Sequence, residues 1–247
     1  MKNNLDSIQP KVCDSFAPFI EKYEFGKITD IKTGKKEIQF PHMLQADGII
    51  DKNYKQSNVR ILLFLKDSYR SKTDTTKDDY LYNLAAAYPA LKTKGSCKNL
   101  SEWVKCIVRE LVGVLQDNFE RTALMNVSKL GHYDIQSSWS LLWAIAQKDK
   151  ELLKNQFNSL NPNIIICGNT YDLFKYVMGV KDVEEVEVGN IANRGKLRKS
   201  PLTLYQWNER VIFDAYHPSL YNTKVEDFEN LTKSYKDKIK QIINVGI

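Results

Sequence analysis

Arg60-Ile-Leu-Leu-Phe-Leu-Lys-Asp-Ser-Tyr-Arg70 places five consecutive apolar residues, 61–65, directly before a carboxylate, a hydroxyl, a phenol and two cations. The apolar run lacks the alternation of a half-exposed strand, and its length suits a strand covered on both faces, as in a parallel sheet flanked by helices. Ligands of open α/β sheets bind beyond the carboxyl ends of such strands. Residues 66–70 are therefore where chemistry is expected.

Working outward, residues 122–126 and 164–168 repeat the pattern of a short apolar strand ending on a polar residue or glycine. Residues 202–206 and 210–215 read as paired strands turning at Trp207-Asn-Glu209. Helices are expected between the strands. A short one covers 80–90, and a clearer one covers 101–116, with Ser101 as N-cap and Trp103, Ile107, Leu111 and Leu115 on one face. Further helices span 137–157, 171–178 and 225–243, with Asn161-Pro-Asn163 as a stop signal before the third strand. Upstream, Val12, Phe16, Phe19 and Ile20 lie near helical spacing within 7–23, and 26–55 reads as irregular with at most one short strand. Residues 71–79 form a polar loop. Strands alternating with helices predict an α/β fold, a three-layer α/β/α sandwich on a small, mostly parallel sheet. A single domain is expected over 1–247, with an N-terminal helical extension over about 1–55.

Hydrophobic content of 43% and charged content of 27% are those of a globular chain, and the net charge of +6 fits a polyanionic partner without requiring one. No apolar run is long enough to cross a bilayer, so a cytoplasmic location is expected. Cys13, Cys97, Cys106 and Cys167 include no Cys-x-x-Cys pair; they read as reduced structural thiols, and neither metal nor other cofactor is expected.

Asp67, Asn126, Gly168 and His217 each fall at the end of an expected strand, so one sheet edge could gather all four. A carboxylate can orient water or offset a cation, an amide offers a donor and an acceptor to a planar edge, and an imidazole can hold a developing anion. A ring base leaving a sugar calls on all three. Each residue also has an ordinary reading: Asp67 as a turn former, Tyr69 as a rim aromatic, Asn126 as a helix cap and His217 as part of a Pro turn. The basic loop of Arg194, Lys196, Arg198 and Lys199 reads first as a solvated face.

Lys66-Asp-Ser-Tyr-Arg70 resembles the Gln-Asp-Pro-Tyr-His water-activating motif of the uracil-DNA glycosylases. Leu124-Met-Asn126 is similar to their Leu-Leu-Asn base-reading segment, Ile166-Cys-Gly168 to their glycine-ended strand, and His217-Pro-Ser219 to the start of their His-Pro-Ser loop. The order along the chain agrees as well. The resemblance implies a monofunctional DNA glycosylase of base excision repair, with Asp67 positioning the attacking water beneath an oxocarbenium-like sugar and His217 hydrogen-bonding O2 of the departing base. It also implies that Asn126 pairs with the base's N3 and O4 edge, that Tyr69 stands against C5, and that Lys66 and Ser68 line the base site. Because a duplex hides the glycosidic bond, the nucleotide has to be flipped out. Leu220 or Tyr221 is then the implied wedge, and Arg70, Lys129, Gly168 and Ser219 are implied contacts to the DNA. A monomer acting on single- or double-stranded DNA follows.

The match has departures. Ser68 stands where the motif has Pro, Arg70 where it has His and Lys66 where it has Gln, and the loop after His217 lacks the second Pro. The alternative expectation is a member of the same fold whose catalysis is altered or lost, serving as a nucleic-acid-binding or host-defence module.

Overall fold

The structure, a computed structural model, describes residues 16–22, 27–29, 36–38, 44–66, 81–83, 85, 95–114, 119–129, 138–181, 183–186, 202–215 and 225–244. Its centre is a seven-stranded sheet in the order β4-β7-β5-β8-β11-β10-β9. The four inner strands are β7 (Thr122–Asn126), β5 (Ile61–Leu65), β8 (Ile164–Gly168) and β11 (Arg210–Ala215), all mutually parallel. Antiparallel strands flank them: β4 (Gly48–Ile49) beside β7, then β10 (Thr203–Trp207) beside β11 and β9 (Glu184–Val186) beside β10. Two small sheets lie apart from it, β1 (Lys27–Thr29) with β2 (Lys36–Ile38), and β3 (Leu44–Ala46) in parallel with β6 (Leu81–Asn83).

Alternate side chains of the inner strands enter two separate cores, which is why their sequences are apolar throughout. Leu62, Phe64, Ala123, Met125, Ile165, Cys167 and Ile212 face the first core. Helices α3 (Trp139–Lys148), α4 (Lys150–Leu160) and α5 (Tyr171–Met178) cover that face, and α1 (Ala17–Lys22) adds Phe19 to it. Ile61, Leu63, Leu124, Ile164, Ile166, Val211 and Phe213 face the second core, beneath α2 (Gly95–Val112), α6 (Val225–Ser234) and α7 (Lys236–Ile242). Trp103 of α2 stacks on Phe228 of α6 with centroids 5.3 Å apart, joining the two helices over the sheet. This is the three-layer α/β/α arrangement.

Several local expectations need correction. Ser101 is not an N-cap: α2 begins at Gly95 because Leu100 extends the buried seam upstream of Trp103, and Ser101 itself is buried. Residues 81–83 are strand rather than helix, since pairing with β3 overrides local preference. Among the described residues, the stretch 26–55 holds four short strands instead of one. The long helix of 137–157 is two helices meeting at Asp149, whose N–H closes α3 on the Ile145 carbonyl while its own carbonyl accepts from Leu153. Ser138 caps α3 by accepting from the Leu141 N–H. The last helix likewise divides at Tyr235.

The order of the inner strands reverses direction at β5. The chain leaves β5 for β7 by way of α2 on the second face, then crosses back over β5 to reach β8 by way of α3 and α4 on the first. Crossovers of one hand require opposite faces for opposite directions of travel. Beyond the carboxyl ends of β5 and β8 the chain therefore departs to opposite sides, which is the condition for a ligand crevice. No helix among the described residues is long and apolar enough to cross a membrane.

Candidate functional site

The carboxyl ends of the inner strands are level with one another. Leu65 is paired with Asn126, Phe64 with Cys167, and Gly168 with Ala215. Chain segments leading to residues 67 and 217 thus leave the same edge, separated only by β8. Asp67, Ser68, Tyr69, Arg70, His217, Ser219, Leu220 and Tyr221 lie outside the described residues.

Asn126 is the residue at this edge with no structural explanation. It is 1% exposed, and neither its Oδ1 nor its Nδ2 has a hydrogen-bond partner. The next described helix is capped by Ser138, so the amide is not its cap. A buried amide without partners costs about 1–3 kcal/mol of stability, and such groups call for a cause.

Its backbone, by contrast, is fixed. The Asn126 N–H donates to Asp47 Oδ2 at 2.6 Å. Asp47 in turn receives Lys129 Nζ at 2.7 and 3.0 Å and Gln156 Nε2 at 2.7 Å, and Lys129 also donates to Gln156 Oε1 at 2.7 Å. Phe16 and Phe19 roof the ammonium, with ring centroids 5.7 and 4.8 Å away. Burial draws the Lys129 ammonium below its ordinary pKa, and the Asp47 carboxylate opposes that shift. Lys129 is therefore not a DNA contact: it is fully buried and has no surface to offer a phosphate. It supports Asn126 from within, together with Asp47 and Gln156, two residues the sequence did not single out.

Lys66 follows β5 and is 7% exposed. Its carbonyl accepts from the Ser128 N–H at 2.9 Å, and its Nζ lies 4.1 Å over the Trp139 ring at the start of α3. Gly168 ends β8 and is buried; the exposed residue at this strand end is Asn169, held at φ 59° with its N–H donating to the Ala215 carbonyl at 2.8 Å. Thr170 then donates from Oγ1 to the Phe64 carbonyl at 2.6 Å, tying the start of α5 to β5.

Asp214, next to last in β11, adds a further acid. Burial first, and then the Asp172 carboxylate, push its carboxyl up to about 7. Cys167 and Cys106 are buried free thiols, and burial raises both, Cys106 to about 11, so neither is a ready nucleophile. Among the described residues no group of His, Cys, Asp and Glu could hold a metal ion.

No protein-family model matches the chain, and no curated protein matches it.

Proposed function

We propose that the chain is a DNA glycosylase that hydrolyses the N-glycosidic bond of a flipped-out uracil or related pyrimidine and leaves an abasic site. The observation that carries this is the Asn126 amide, buried and unpartnered at the edge of the sheet yet held by its backbone on a fully bonded support. A planar pyrimidine edge offers what that amide lacks, an N–H for Oδ1 and a carbonyl for Nδ2. The level strand ends and the crevice between β5 and β8 are compatible with Asp67 and His217 acting on the same nucleotide.

In this mechanism Asp67 orients a water against C1′ and offsets the positive charge on the sugar as the C1′–N1 bond breaks. The bonding pair leaves with the base, and His217 donates a hydrogen bond to its O2 as negative charge collects there. The water loses a proton as it bonds to C1′, the base gains one, and the sugar keeps a hydroxyl. Asn126 selects the base through its N3 and O4 edge, and Tyr69 excludes a C5 methyl group.

Oligonucleotides carrying different modified bases, incubated with the protein and then cleaved with alkali at abasic sites, test the proposal. Cleavage is expected at uracil or a close pyrimidine analogue. Asp67→Asn is expected to slow release by roughly 100-fold or more while binding changes little, and His217→Ala is expected to act in the same direction. Tight DNA binding with no abasic product from the unaltered chain would replace catalysis with the binding-module alternative.

A further inference from the structure

Among the described residues, Trp139 and Trp143 are 43% and 38% exposed, and Val112 is the one other large apolar side chain exposed to a similar degree. The two tryptophans lie four residues apart on α3, so their rings share one face, with Cβ atoms about 5–6 Å apart. Trp139 sits beside the end of β5, where the nearly buried Lys66 ammonium lies 4.1 Å over its ring. That covers one face of the indole, so its exposure comes from the rest of the ring. Trp143 meets Tyr176 of α5 edge-on at 5.3 Å, and Lys150 Nζ lies 4.5 Å over that tyrosine.

We infer that this stripe is a stacking path for unpaired bases, leading single-stranded DNA along α3 to the crevice at the carboxyl edge. A protein partner would also use tryptophan, but protein interfaces are depleted in lysine. Here the half-buried Lys150 lies over the Tyr176 ring, while the nearly buried Lys66 braces one face of Trp139. Rings interleaved with cations are the pattern that binds single strands, because every base presents a π face and every nucleotide a phosphate. A duplex hides its base faces and would leave both indoles unused. The inference deepens the glycosylase proposal by naming the form of the polymer, and it rests on that proposal in taking the polymer to be DNA.

The test uses the full chain and a labelled oligothymidylate free of uracil, alongside a duplex of the same length. Anisotropy and intrinsic tryptophan emission are followed during titration. The single strand is expected to bind more tightly and to quench emission. Trp139→Ala and Trp143→Ala are each expected to weaken single-strand binding by about 5- to 150-fold, the range for one lost base stack, with Trp139→Phe restoring most of it. Thermal denaturation separates this from misfolding, because Trp143 also packs on Tyr176. Unchanged affinity in both alanine variants, or a duplex bound as tightly as the single strand, would overturn the inference. Base release from a uracil-containing strand is measured in parallel. Release with no tryptophan dependence of binding would overturn the path and leave the glycosylase proposal standing, whereas tryptophan-dependent binding without release would do the reverse.

Discussion

The two ends of the same four parallel strands are built differently. At the amino ends, polar groups are committed to one another: Asn163 accepts the Arg60 N–H at 2.8 Å and donates to the Asn58 carbonyl at 2.6 Å. Arg60 Nε donates to the Asn161 carbonyl at 2.7 Å, and Arg210 donates to the Pro162 carbonyl and to Asn161 Oδ1 at 3.0 and 3.1 Å. At the carboxyl ends, the Asn126 amide has no partner and Asp214 is pushed up to about 7. Apart from the buried Thr122 Oγ1, the described polar groups at the amino end are closed by bonds within the chain, whereas at the carboxyl end both polar atoms of the Asn126 side chain lack a partner. Departures from polar satisfaction of this kind concentrate where function requires them.

Replacing Asn126 with leucine should give the largest effect. The side chains branch alike at Cγ, so an apolar group takes the place of an unsatisfied amide. Base release is expected to fall on the order of 100-fold, while thermal stability stays level or rises by up to about 1–3 kcal/mol. Release from uracil oligonucleotides and a denaturant melt check the two parts. A destabilised variant with unchanged release would reverse the assignment of the two ends.

At the opposite end, Asn163→Ala removes the acceptor of the Arg60 N–H and the donor to Asn58. The expected cost is about 1–3 kcal/mol in unfolding free energy, with release per folded molecule unchanged. A denaturant melt paired with an active-fraction assay separates them. Loss of release in the folded fraction would mean that the ends are not independent.

How much of this was legible in the sequence follows from which signals are local. Apolar runs without alternation can be read directly, so β7 and β8 fall where the sequence places them, at Thr122–Asn126 and Ile164–Gly168. Asn126 could be read as well, because it ends such a run. Its support could not. Asp47, Lys129 and Gln156 come from three distant segments, and nothing near Asp47 marks it as the acceptor at the centre of a buried network. Lys129 in sequence is a lysine shortly after a strand, and its burial is decided by Asp47, Phe16 and Phe19 together. For the same reason the strand at residues 81–83 was hidden, since its pairing partner is β3. Helix breaks were missed where a single polar residue, Asp149, ends one helical run and begins the next without glycine or proline.

The smallest effect is expected at Asp214, and it tests whether the carboxyl end carries titratable strain as well as an orphan amide. Among the described residues, Cys167 lies opposite it in β8, and Asp172 and Tyr171 of α5 interact with it electrostatically. Its folded pKa of about 7 stands above the ordinary 3.8. In that window the folded state holds a proton that the unfolded state has lost, so stability falls as pH rises from about 4 to 7 and then levels. Asp214→Asn cannot ionise and lacks that slope. The melting temperature of the variant minus that of the unaltered chain should therefore grow between about pH 5 and pH 7 and plateau above. A half-buried group is partly screened, so the gain should be modest, roughly 2–4 °C for a chain of this size. Asp172→Asn removes the neighbouring carboxylate and should move the midpoint of that rise to lower pH, whereas a difference that stays flat across the window would show that Asp214 ionises freely and that the unsatisfied character of this end is confined to Asn126.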